Sequence, residues 1–223
     1  MERDGTDAAG WWREAGAEAL ALLLPVWCAG CDRPGRAFCD ACATASADPV
    51  RRVVPSGPTV WTAMRFEGAA ARAVRALKED GRTGVARPLG GMVADVLAAA
   101  GWGGAALVPV PTSRAALRRR GYAVPELVAR HTGHRVERAL RVAAVPAADQ
   151  RLLRRDERAR NVAGAFAASR RVEGHPVVVV DDVVTTGATL REAARALEAC
   201  GARVLGAVAA ADTPRRISTA VRE

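Results

Sequence analysis

An α/β fold, with a central parallel sheet and helices on both faces, is what this sequence predicts. The stretch VVVVDDVVTTGATL, Val177 to Leu190, argues for it most directly. Its four valines do not alternate with polar residues, as expected of a strand covered on both sides. Ala188 to Cys200 then spaces Leu190, Ala193, Ala194, Leu197 and Cys200 at helical intervals, and Gly201 stops the run. Strand-like runs followed by helical spacing also occur earlier in the chain. A small four-cysteine segment precedes them.

Taken in order, residues 8–24 are helix-compatible, with Trp12, Leu20, Leu23 and Leu24 on one face, until Pro25. CAGCDRPGRAFCDACA follows. Cys28 and Cys31 form one C-x2-C and Cys39 and Cys42 a second, seven residues on. Two such knuckles direct four thiolates at one ion, a closed tetrahedral zinc site of the structural kind. It stabilises a segment too small to build its own core. Disulfides or free thiols are the alternatives. Residues 43–58, with Ser, Asp and three prolines, read as a linker. This gives two units, residues 1–48 and 59–223.

Val60 to Phe66 reads as a strand and Glu67 to Glu79 as a helix with Ala70, Val74 and Leu77 inward. Lys78, the one lysine of the chain, either reaches a phosphate group or sits as a solvated cation at a helix C-terminus. A second helix is expected from Val85 to Ala100. Ala106 to Pro111 is a short strand opening into a loop with Arg114 and Arg118-Arg119-Arg120-Gly121-Tyr122. Arginine forks match phosphate oxygens two at a time, so Arg114 and Arg120 are candidates for a pyrophosphate. A solvated basic helix is the other reading. Pro125 to Arg130 is helical, and Val136 to Val145 holds a strand. Gln150 to Phe166 is polar and basic, either a flap over a ligand with Arg158 and Asn161 in contact or an exposed helix. Arg203 to Ala211 is a last buried strand, and the tail from Asp212 is polar.

The 223-residue chain is half apolar, enough for a sizeable core. Its formal charge is +9. Between Pro111 and Arg171 stand 15 arginines against 5 acids, so the positive field belongs to that segment. It suits a polyanionic small molecule or a nucleic-acid backbone. Only Tyr122 and Phe166 lie there as stacking platforms, which argues against base readout. The longest apolar run, Ala19 to Trp27, is too short to span a bilayer, and the acidic start does not resemble a signal peptide. A cytoplasmic protein without membrane insertion is expected.

The chemistry concentrates after the valines. The strand is expected to stop at Asp181 and Asp182. The turn that follows feeds a helix N-terminus, where unpaired N–H groups and the dipole favour an anion. Gly187 allows close approach, and Thr185, Thr186 and Thr189 add hydroxyls. The acids are placed to accept hydrogen bonds from sugar hydroxyls or to hold a cation. A phosphate site beside a diol site describes a ribose 5-phosphate.

This stretch resembles the phosphoribosyl pyrophosphate (PRPP) motif of the type I phosphoribosyltransferases. With LLLPVWCAGC, LVPVP, RRRGY and the segment Gln150 to Phe166, the chain resembles the ComF family from about Leu22 onward. The resemblance implies a type I phosphoribosyltransferase-like fold. It implies PRPP at Val184, Thr185, Thr186, Gly187, Ala188 and Thr189, with Asp181 and Asp182 as the catalytic pair and Mg2+ accompanying the substrate. It also implies an alternative role as a non-catalytic competence accessory that handles single-stranded DNA or binds a helicase. Ala123-Val124 stands where the family commonly has Asn-Gln, so any ligand contact by those amides is missing here.

Overall fold

The structure, a computed structural model, describes residues 26–143 and 163–213. The helix expected over residues 8–24, Arg158 and Asn161 with most of their segment, and the tail beyond Thr213 lie outside the described residues.

A five-stranded sheet organises the chain. Its strands are β1 (Ala47–Val53), β2 (Thr59–Arg65), β3 (Ala106–Pro109), β6 (Pro176–Val184) and β7 (Arg203–Asp212). Their order is β1-β2-β7-β6-β3. β2, β7, β6 and β3 run parallel, and β1 is antiparallel to β2 at the edge. A two-stranded antiparallel ribbon, β4 (Leu140–Val142) and β5 (Phe166–Ala168), stands apart from it.

The valines of β6 explain the layering. Val178 and Val180 enter one core, with α2 (Gly68–Lys78), α3 (Ala86–Ala99) and α5 (Val124–Arg130). Val177 and Val179 enter the other, with α6 (Ala188–Ala199) and the ribbon. All four are fully buried. A strand with both faces covered has no polar side to show, and each such valine contributes about 1.5–3 kcal/mol. Gly90 lets α3 approach α5, because a Cβ there would stand 2.5 Å from Cβ of His131.

Two expectations need correction. β6 does not stop at the acid pair but runs through it to Val184, paired with β7 at Asp181↔Ala209 and Val184↔Asp212. Residues 43–58 are not a linker. They complete α1 (Asp40–Ser46) and form β1, which pairs with β2 from Ala47↔Met64 to Val53↔Thr59. The sheet is therefore mixed rather than wholly parallel. The strand expected within Val136 to Val145 is β4, Leu140–Val142, and Val136 makes a single parallel bridge to Leu107.

The cysteine segment joins the same body. Cys28, Phe38 and Cys42 are buried in the core that contains α2. Arg72 of α2 donates from Nε to the Gly30 carbonyl at 3.0 Å, and Arg82 donates to the Trp27 carbonyl. Among the described residues no helix is long and apolar enough to cross a membrane.

Candidate ligand site and metal centre

β6 delivers its acid pair to the carboxyl end of the sheet, where open α/β sheets place ligands. Alternation turns the two side chains to opposite faces. Asp182 faces α2, and its Oδ2 lies 2.7 Å from Nζ of Lys78, the last residue of that helix. The pair is partly shielded from water, the Lys78 side chain being 29% and the Asp182 side chain 12% exposed. Each carboxylate also accepts from the next amide, Asp182 N–H to Asp181 Oδ1 at 2.8 Å and Val183 N–H to Asp182 Oδ1 at 2.7 Å.

Burial raises the Asp181 carboxyl well above the ordinary carboxylate range, and the neighbouring Asp182 charge adds to that. The Asp182 amide and the Lys78 ammonium pull it back only in part. Asp181 is thus a reluctantly ionised carboxyl.

The loop beyond β6 turns sharply into α6. Thr185 and Thr186 are exposed, and Gly187 is buried with φ +80° as the residue before α6. Only glycine takes that position easily, for a Cβ would also meet Cγ2 of Val54 at 2.5 Å. Thr186 Oγ1 accepts from the Ala188 amide at 3.3 Å, and Thr189 lies in the first turn of α6. Val184 ends the strand and is buried.

Arg52, absent from the sequence reading, closes the other side. From β1 it donates Nη1 to Asp212 Oδ1 and Nη2 to the Thr185 carbonyl, each at 2.7 Å. The only local signal was an arginine in a stretch whose polar and proline content hid its strand character.

The arginine loop splits. Arg114 to Arg120 form a short helix, α4, with no buried residue, capped by the Ser113 hydroxyl and by Gly121 at φ +79°. Arg114, Arg118 and Arg119 are exposed, as the solvated-helix reading required, while Arg120 is half-buried. Tyr122 anchors the loop by donating its hydroxyl to the Leu77 carbonyl, one residue before Lys78. A cavity of about 450 Å³ opens between Pro109–Thr112, Tyr122, Glu126 and Leu140.

The four cysteines converge. All four Sγ atoms lie within 4.8 Å of one another, and Cys31 and Cys39 are 3.7 Å apart. Four sulfurs about 2.3 Å from a tetrahedral zinc stand about 3.8 Å apart, so the set fits one ion. Cys28 Sγ accepts amide hydrogens from Gly30 and Cys39, both at 3.3 Å. Burial pushes the Cys28 thiol up, but amides of Cys39, Gly30 and Cys31 outweigh it and bring the thiol down to about 6. Burial, reinforced by the other three sulfurs, pushes Cys42 up to about 12. A cation among them reverses the second effect.

Residues 118–219 match the model of the phosphoribosyl transferase domain family. The matched stretch is just under half of the chain and carries the acid pair and the loop. It does not include the four clustered cysteines, β1, β2 or Lys78. Among solved structures, the crystal structure of TT1426 from Thermus thermophilus is similar, with 23% identity over 60% of this chain and 85% of that one, at a TM-score of 0.34. No curated protein matches the chain.

Proposed function

We propose that the chain binds PRPP, or a related 5-phosphorylated ribose, at the carboxyl end of β6, and transfers its phosphoribosyl group to an acceptor. The observation that carries this reading is the acid pair on β6, followed directly by a glycine-turned loop that opens α6. In it the 5-phosphate sits on the amides and hydroxyls of Thr185 to Thr189, and the ribose hydroxyls donate to Asp181 and Asp182. The match to the phosphoribosyl transferase domain supports it.

The residues suit a hard cation as well. Asp181 offers carboxylate oxygens, and Mg2+ brought with PRPP supplies charge neutralisation at the departing pyrophosphate. Lys78 pairs with Asp182 and places a positive charge beside the ribose site. Arg114 and Arg120 remain the candidates for the pyrophosphate, together with Arg158 and Asn161. Loss of pyrophosphate leaves an oxocarbenium-like carbon, so positioning and charge stabilisation supply most of the rate. The four-cysteine centre, with no open position, holds zinc for structure.

The test follows pyrophosphate release by 31P NMR as Mg·PRPP meets a panel of amines and nucleobases. Release that requires an acceptor and disappears in Asp181→Asn/Asp182→Asn establishes transfer. PRPP left intact with every acceptor removes the catalytic half of the proposal.

A second reading is favoured by one feature, the exposed row Arg114, Arg118 and Arg119 on α4. Such a row tracks a phosphate backbone, as the ComF resemblance implies for a non-catalytic partner of single-stranded DNA or a helicase. Binding of that kind weakens steeply with salt.

A further inference from the structure

We propose that Arg52 is the positioning residue of the phosphate loop: it fixes the Thr185–Thr186 peptide so that its N–H faces the anion. The inference rests on the ligand reading above and deepens it. It comes from a residue outside the stretch that matches the phosphoribosyl transferase domain.

Carbonyl and N–H of a trans peptide point in opposite directions. The described chain has no cis peptide bond. The Thr185 carbonyl is drawn to Nη2 of Arg52 at 2.7 Å. The Thr186 N–H therefore points away from Arg52. If this peptide turned over, a carbonyl dipole would meet the phosphate where a donor is needed. A guanidinium hydrogen bond holds one of the two orientations.

Arg52 is itself held. Its Nη1 lies 2.7 Å from Oδ1 of Asp212, the last residue of β7, and its side chain is only 18% exposed. Asp212 pairs in register with Val184, where β6 gives way to the loop. The fork thus spans the end of β7 and the first carbonyl of the loop. Two residues on, Val54 supports Gly187 from the same side. Residues 52–54 form the floor against which residues 185–187 are shaped. An arginine suits this role because its two terminal nitrogens reach two acceptors at a fixed angle.

The experiment compares wild type with Arg52→Ala, Arg52→Lys and Arg51→Ala. Arg51 lies on the same strand but is exposed, so its removal changes charge equally without touching the loop. Titration of Mg·PRPP is expected to weaken about tenfold or more in Arg52→Ala, about threefold in Arg52→Lys, and to stay within about twofold in Arg51→Ala. The 1H–15N signals of Thr186 and Gly187 are recorded without ligand and with inorganic phosphate. They are expected to move or broaden in Arg52→Ala, to a smaller extent in Arg52→Lys, and not in Arg51→Ala. Wild type that ignores PRPP defeats the ligand reading, and the amide signals still judge the loop role. Unchanged amide signals in Arg52→Ala, or wild-type affinity in that variant, overturn the proposal. Should Arg52→Ala fail to fold, Arg52→Lys and Asp212→Asn carry the same comparison.

Discussion

Asp181 shows what a ligand site demands of a fold. Its carboxyl is pushed up because burial and the Asp182 charge both disfavour ionisation. For an acid with a raised folded pKa, the folded state binds the proton more tightly than the unfolded chain. Stability therefore falls as pH rises from the ordinary Asp value through the raised one, and the full penalty applies above it. Asp181→Asn removes that penalty while keeping an acceptor for the Asp182 amide. At pH 7 the variant should melt higher, by about 2–4 °C for each kcal/mol recovered, and the gap should close toward acid. Differential scanning calorimetry at pH 4 and pH 7 checks this, and a lower melting point at pH 7 contradicts it. The same group predicts that PRPP binds more tightly as pH rises, because only the ionised carboxylate accepts two sugar hydroxyls.

At the scale of elements, the cysteine segment does more than stabilise itself. It continues through α1 into β1, which carries Arg52, and α2 grips it through Arg72 while presenting Lys78 at its far end. Both cations that shape the acid pair and the loop thus come from elements fastened to the four thiols. Removing a zinc ion is expected to lower the melting temperature and to weaken PRPP binding together. Chelator titration at pH 7, with a chromogenic indicator, should release one metal per chain, and acid should release it sooner because the thiolates must take up protons. A protein purified without metal that melts and binds unchanged by added zinc contradicts the coupling.

For the molecule as a whole, what could be read from sequence divides by distance along the chain. The β6–loop–α6 unit is contiguous, so its acids, glycine and hydroxyls stood together in the text and fold together. The two cysteine knuckles were legible for the same reason. Arg52 was not, because its partners Thr185 and Asp212 lie 133 and 160 residues away. β1 also hides its period: Asp48, Val50 and Arg52 are its half-buried positions, and a face with two charged residues does not read as a strand. Lys78 stood out by composition, yet its ion pair with Asp182 required a sheet to bring them together. The continuation of β6 through two carboxylates went unread because local hydrophobicity ends at Val180, whereas pairing with β7 does not.

Whether the end of β6 is a PRPP site is decided by calorimetric titration of Mg·PRPP into the zinc-loaded protein, beside Asp181→Asn/Asp182→Asn. Saturable binding to the wild type with one site per chain, lost in the double variant, is expected. Wild type that takes up no heat, or a double variant that binds as well as wild type, would contradict it.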